Sequence, residues 1–379
     1  MLSENSRYAK NSKMKKLNLK KLNRKQKNLI GIAAICLIVL VIVIIAVFSD
    51  NSSTIEQNFH IADTQKITKI VIKNKDDYSV LLEKGGNDTW TVNKKFEAND
   101  VLIKTLLQTF GEMRIREPLP KAARNNVVKD LASIGKIVDV YTTDYKINLG
   151  FIKLFKAERL KSTYYVGGET PDEMGTFMLK KGDDTPYIVY IPNFRGYLST
   201  RFSVSLDLWR SHNLFKYKQS DIESISVEIP NLPSENYTLI NNGKGFSFMN
   251  ASGEKLSSFD TNKVVAFLSS FVDMNYESAA KNIPQIEQDT IFSKPPSFVI
   301  TVKDKKGTTQ TLKTFEKLND PTSIAKDEKD MYNIFDINRC YALSSKLNDT
   351  LIMQFFTLDN VLKPASYFMT GAEGLPYIK

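Results

Sequence analysis

The stretch Leu107-Gln-Thr-Phe110-Gly-Glu-Met113 returns 161 residues later as Leu268-Ser-Ser-Phe271-Val-Asp-Met274, with its apolar, phenylalanine, acidic and methionine positions in step. At the same offset Ile103 meets Val264, Leu106 meets Phe267, and Asn99 meets Asp260 just ahead of each apolar run. Ile137-Val138 falls on Phe298-Val299, and Ile67-Thr-Lys-Ile70-Val-Ile72 resembles Ile222-Glu-Ser-Ile225-Ser-Val227 at an offset of 155. A period of this kind is a duplication, so one architecture must be built twice from two divergent copies.

Each copy has a consistent order. Ile67, Ile70 and Ile72 lie in a β-branched run, followed by Tyr78–Leu82 and Thr89–Val92, with Gly85-Gly86-Asn87-Asp88 as the turn between the last two. Asn99 caps a helix whose Leu102, Leu106 and Phe110 recur every four residues. A strand near Glu112 to Glu117 is stopped by Pro118 and Pro120. Strands over Lys136–Thr143, Thr163–Gly168, Gly175–Leu179 and Pro186–Ile191 complete the copy. In the second copy strands are expected at Ile222–Ile229, Tyr237–Ile240, Gly245–Met249 and Phe298–Lys303, with a helix from Thr261 to Phe271. Met331–Phe335, Cys340–Leu343 and Leu351–Phe356 are set against the last three strands of the first. The pattern predicts an α+β fold of antiparallel sheets with a few packed helices, in two tandem lobes over 63–215 and 216–379.

Leu29 to Phe48 is an unbroken apolar run of 20 residues without a charge or proline. A helix of that length matches a bilayer core of roughly 30 Å, which predicts a single transmembrane helix. Residues 1–28 carry ten Lys and Arg against Glu4 alone, nearly all of the chain's +10 formal charge. Such a tail stays cytoplasmic, which predicts an uncleaved signal anchor, a linker over 49–62 and lobes on the extracytoplasmic side. The tail's cations suit anionic lipid head groups; with one aromatic, Tyr8, and no recognition motif, nucleic acid is not an expected partner.

Catalytic chemistry has little to draw on. There is no phosphate-binding G-x-x-x-x-G-K-[ST], no G-x-S-x-G and no His-Glu-x-x-His. Cys36 lies in the apolar run, so Cys340 is alone in the remainder and reads as a buried small hydrophobe. His60 and His212 are far apart in the chain, and His212, close to Trp209 and Arg210, reads as a polar residue of the lobe junction. The loop Gly167–Gly175, with Glu169, Asp172 and Glu173, has too many carboxylates for a phosphate cradle and not the spacing of an EF-hand. It reads as a solvated turn, as do Asp183-Asp184 and Asp327-Glu328. The strand aromatics, such as Tyr187, Tyr190, Phe355 and Phe356, read as core. No catalytic, cofactor-binding or metal-ligating residue is assigned.

The pattern Ile67-x-x-Ile70-x-Ile72, Trp90-Thr-Val92, Asn99-Asp100, Tyr164-Tyr-Val166-Gly167 and Ile188-Val-Tyr190-Ile191, with Leu206–Arg210 to Leu214-Phe215 at the junction, resembles the domain of unknown function 4340 family over about Ile61 to Pro364. The resemblance implies a bacterial envelope protein, with some relatives encoded near or fused to auxiliary membrane components of gliding-motility-type ABC transporters. It implies no catalytic residues, and this chain lacks a multi-span transporter region. The expectation is therefore a non-enzymatic, membrane-anchored scaffold that binds an envelope protein partner. The alternatives are a module binding glycan, peptide or lipid between the lobes, and an unrecognised hydrolase.

Overall fold

A computed structural model describes residues 23–48, 59–148, 153–256, 258–281, 283–319 and 334–369. Its first nine strands are β1 (Ile67–Lys73), β2 (Ser79–Lys84), β3 (Trp90–Val92), β4 (Phe96–Glu97), β5 (Arg114–Pro118), β6 (Lys136–Asn148), β7 (Lys153–Glu169), β8 (Thr176–Lys180) and β9 (Tyr187–Tyr190). Two short strands, β10 (Asn213–Phe215) and β15 (Met274–Asn275), pair with each other. The rest are β11 (Ile222–Glu228), β12 (Tyr237–Asn241), β13 (Phe246–Asn250), β14 (Lys255–Leu256), β16 (Ser278–Ala279), β17 (Phe298–Asp304), β18 (Thr309–Leu318), β19 (Phe335–Ser344) and β20 (Thr350–Gln354). The helices are α1 (Arg24–Phe48), α2 (Asp100–Glu112), α3 (Lys121–Ser133), α4 (Leu206–Trp209), α5 (Thr261–Ser269), α6 (Gln285–Phe292) and α7 (Phe355–Leu358).

The duplication is explicit in the sheets. One nine-stranded sheet runs β4-β3-β2-β1-β6-β7-β8-β9-β5, and the other runs β14-β13-β12-β11-β17-β18-β19-β20-β16. The two orders agree term by term, and the described strand pairs are antiparallel. Even an irregularity is repeated: the β1–β6 ladder slips between Ile67 and Lys69, and the β11–β17 ladder slips between Ile222 and Ser224.

Register refines the alignment of the copies. Ile70 faces Val140 and Ile72 faces Val138, whereas Ile225 faces Val302 and Val227 faces Ile300. Val138 therefore corresponds to Ile300, an offset of 162, and the expected match of Ile137-Val138 to Phe298-Val299 is one residue out. With a side-chain period of two, that slip would turn the buried face outward. Val138, Val140, Ile300 and Val302 are all fully buried. Each such side chain contributes about 1.5–3 kcal/mol by leaving water.

The sheets are covered on both faces. Val264, Phe267 and Phe271, on and just beyond α5, join Ile225, Val227, Tyr237, Phe248 and Ile300 in one core, with Leu312, Cys340, Ala342, Leu351 and Met353 from the later strands. Residues of opposite parity on those strands, Phe315 and Tyr341, pack with Ile291 of α6. In the first sheet Val127 and Leu131 of α3 likewise meet Ile188. Gly167 permits this approach, because a Cβ there would lie 3.0 Å from Leu131 Cδ2 and 3.1 Å from the Phe177 carbonyl oxygen. Both α3 and α6 start directly after a proline, Pro120 and Pro284. Neither helix was expected; their apolar residues are few and their periodicity is weak.

The helix caps follow the repeat. Asn99 Oδ1 accepts from the backbone N–H groups of Val101 and Leu102, and Asp260 Oδ1 accepts from those of Asn262 and Lys263. The turn at Gly85–Asp88 closes with Asn87 and Asp88 at φ of 57° and 60°. One expected correspondence fails. The counterpart of β7 is β18, not Met331–Phe335, and β18 went unrecognised because Thr309, Thr311 and Lys313 dilute its apolar pattern. Residues 331–333 lie outside the described residues.

By contacts the chain forms two compact units, residues 1–84 with 105–204, and residues 85–104 with 205–379. Segment 85–104 falls in the second because Ala98 bridges Arg210, Ser211 N donates to Glu97 O (2.7 Å), and Asn99 N donates to Trp209 O (2.8 Å).

The expected membrane span requires correction. Among the described residues no helix is long and apolar enough to cross a membrane. Leu29–Phe48 falls within α1. The single transmembrane helix, the signal anchor and the single-pass inner-membrane location, with an extracytoplasmic C-terminal part, are therefore not supported. Residues 1–22 of the basic tail and 49–58 of the linker lie outside the described residues.

Candidate functional site

In the second unit a group of polar and aromatic side chains gathers around the buried Arg210. The short helix α4 delivers it: Arg210 N donates to Leu206 O (3.0 Å), and the chain then runs into β10 beside β15. Tyr276 directly follows β15, and its N–H donates to His212 O at 2.9 Å. The guanidinium lies 4.5 Å over the Phe96 ring and 5.4 Å from that of Tyr276. Both distances suit attraction between a cation and a ring face.

Arg210 is only 3% exposed. Its Nη1 donates to Asp349 Oδ2 at 2.8 Å and lies 4.0 Å from Asp207 Oδ1. Its Nε and Nη2 have no hydrogen-bond acceptor among the described residues. Asp207 also takes Lys281 at 2.8 Å. His212 Nε2 donates to the Asp207 carbonyl oxygen (2.9 Å), and its ring stacks on Tyr276 at 4.8 Å. The Tyr276 hydroxyl donates to Ser211 O at 3.2 Å. Burial pushes the Tyr276 phenol up, and the adjacent guanidinium opposes the rise.

Chemically the cluster is a clamp. A guanidinium cannot act as a base, His212 is engaged with a backbone carbonyl and a ring, and each carboxylate is paired with a cation. His212 is expected at the lobe junction; its contacts with Asp207 and Tyr276 lie within the second unit. Sequence reasoning singled out His212 and missed Arg210; a charge between Trp209 and Ser211 carries no local mark of burial.

The other predicted positions are dispersed. Cys340 is buried in the core of the second sheet, and desolvation pushes its thiol up to about 12. His60 Nδ1 is buried without a partner among the described residues. In the acidic loop, the Thr170 hydroxyl donates to Asp172 Oδ1, and Arg116 Nη1 donates to Asp172 Oδ2 at 2.9 Å. The Thr170 hydroxyl beside it, above all, holds the Asp172 carboxyl below its usual range. No group of three metal-ligating side chains occurs among the described residues. Of the aromatics expected in the core, Tyr187, Tyr190 and Phe355 are half-buried and Phe356, on α7, is 85% exposed. Phe110 of α2, Tyr164 of β7 and Phe202 do form a contiguous buried ring cluster.

One concavity lies in the first unit, lined by Arg116, Met174, Tyr190, Asn193, Phe194 and Arg195, with a volume of about 480 Å³. Its two arginines and aromatic rims could hold an anionic group.

Residues 138–295 match the model of the family described as Domain of unknown function (DUF4340), the family that the motifs resemble. No curated protein matches the chain. No solved structure matches it.

Proposed function

We propose that this chain is a non-enzymatic, partner-binding scaffold whose two repeated sheets present surfaces to another protein. The observation that carries this reading is the use made of the polar groups around Arg210. They are directed at one another, so they organise the fold around α4, β10 and β15. The duplicated sheets supply large, rigid frames on which exposed strands and loops are held. An ABC transporter component is one partner class within this proposal.

The test is cross-linking of the tagged full chain in its native cells, followed by reciprocal purification through each recovered protein. A recurrent protein that recovers this chain in return supports the scaffold role. Repeated failure to recover any such protein refutes it. A second reading, a module for an anionic glycan, peptide or lipid fragment, rests on Arg116 and Arg195 at the concavity of the first unit. Thermal-shift measurements with Arg116→Ala and Arg195→Ala discriminate: a stabilising ligand whose effect both substitutions abolish favours it, and a flat response across cell-wall and lipid fragments removes it.

A further inference from the structure

Comparison of the two sheets isolates one element that the repeated fold does not need. In the second sheet, Lys303 of β17 faces Thr309 of β18, and five residues join them. The corresponding pair in the first sheet is Tyr141 of β6 and Leu160 of β7, joined by 18 residues. These pairs are equivalent because Lys303 and Tyr141 each face the corresponding residue, Ser224 or Lys69, of β11 or β1. The 13 additional residues lengthen β6 and β7 into a two-stranded arm. β1 accompanies β6 only as far as Thr142, and β8 joins β7 only from Tyr164 onward, so among the described residues no strand pairs with either outer edge of the arm.

The arm carries large apolar side chains in water. Tyr145 is 36% exposed, Leu154 47%, Phe155 66% and Leu160 48%. Tyr145 faces Lys156 across the arm, and Phe155, between Leu154 and Lys156, takes a φ of 57°, so strict strand alternation is broken there. α1, which approaches β6, leaves these residues exposed.

The charges are lopsided. Its acidic residues are Asp144 and Glu158, and both are taken by lysines of the sheet end: Lys66 meets Asp144 at 2.9 Å, and Lys69 meets Glu158. Lys153, Lys156 and Arg159 form no ion pair among the described residues, leaving the arm cationic. A guard against edge-to-edge aggregation explains lysines on open strands, but it does not explain four large apolar residues among them. A second copy of the arm would bring like charges together. The core of a protein interface is depleted in lysine, whereas an anionic lipid surface attracts each Lys or Arg and accepts apolar side chains beneath it.

We propose that the β6–β7 arm docks on an anionic lipid surface, with Leu154, Phe155 and Leu160 entering the head-group boundary and Lys153, Lys156 and Arg159 on lipid phosphates. The contact is peripheral and does not rest on the scaffold reading.

The test places an indole on the arm by Phe155→Trp in the full chain. Fluorescence is measured with vesicles of brominated phosphatidylcholine, with and without about one-third phosphatidylglycerol. The readout is local to position 155; the unsubstituted chain, with Trp90 and Trp209 buried, is the blank. The expected result is quenching that needs the anionic lipid. Adding Lys153→Gln, Lys156→Gln and Arg159→Gln should raise the half-maximal lipid concentration about a hundredfold, at about fivefold per cation. Near-UV circular dichroism checks that the core is intact. Equal quenching by purely zwitterionic vesicles, or unchanged quenching in the charge-neutralised variant, overturns the proposal. So does the absence of quenching with both lipids, which would leave the arm to a protein partner.

Discussion

The Arg210 clamp predicts an asymmetry: removing the acid should cost more than removing the base. In Asp349→Ala the guanidinium stays buried and loses its 2.8 Å acceptor, keeping only Asp207 at 4.0 Å. Breaking a buried pair from one side costs about 3–5 kcal/mol. The Asp349 side chain is 33% exposed and Asp207 remains, so the expectation here falls to about 2–3 kcal/mol. Arg210→Met instead removes the charge and keeps the stem between Phe96 and Tyr276. It loses a charge-assisted hydrogen bond of about 1.5–3 kcal/mol and ring attraction of about 0.5–2 kcal/mol. It also removes the unpartnered Nε and Nη2, each costing about 1–3 kcal/mol when buried, so the net change should stay within about 1 kcal/mol. The double variant should resemble Arg210→Met alone. Urea unfolding followed by tryptophan emission is a suitable assay, because both tryptophans, Trp90 and Trp209, belong to the second unit. If Asp349→Ala lies within about 0.5 kcal/mol of the parent, or Arg210→Met is the more damaging change, the clamp argument is wrong.

Three further outcomes follow from the repeat and the buried groups. Asn99→Ala and Asp260→Ala each remove two hydrogen bonds to helix N–H groups and should each cost about 1 kcal/mol in urea unfolding; a harmless change at either position would deny that the two caps are equivalent. With its thiol pushed to about 12, Cys340 should be inert to iodoacetamide at pH 8 in a Cys36→Ser background until urea is added; rapid native labelling would show that the core opens there. Arg339 Nε, 2.8 Å and 3.0 Å from the two Glu277 oxygens, holds that carboxyl below its usual range. The folded value is the lower one, so the contribution is present above the unfolded value and is lost as pH falls through the folded value, below about pH 4. Both groups are partly exposed, so the parent should lose at most about 1 kcal/mol more than Glu277→Gln between pH 6 and pH 3, and an identical acid limb for the two would rule the linkage out.

Much of this was legible in the residues themselves. Paired apolar runs announced two copies, because each copy must bury its own β-branched and aromatic residues at the periods its strands and helices impose. Asn99 and Asp260 marked helix starts because a side-chain oxygen next to free N–H groups acts locally. Cys340 read correctly as a core residue for the same reason: its neighbours alternate. Other features depended on distance along the chain. The one-residue slip at Val138 and Ile300 emerged only from pairing with β1 and β11, since register belongs to the ladder and not to either strand. Strand β18 and helices α3 and α6 were missed because their apolar residues are few, and the packing that holds them comes from strands far away in sequence. The apolar run from Leu29 predicts a span by its length, yet among the described residues no helix is long and apolar enough to cross a membrane.

Sequence alone determined the duplication, the helix caps, the buried thiol and the charge asymmetry of the tail, because each rests on short-range pattern or composition. Tertiary structure decided the rest. Arg210 became a clamp only when Phe96, Tyr276 and Asp349 arrived from separate strands and loops to surround it, and the arm became visible only when the two sheets could be compared pair by pair. Burial and register are relations between distant segments, and a linear sequence does not carry them.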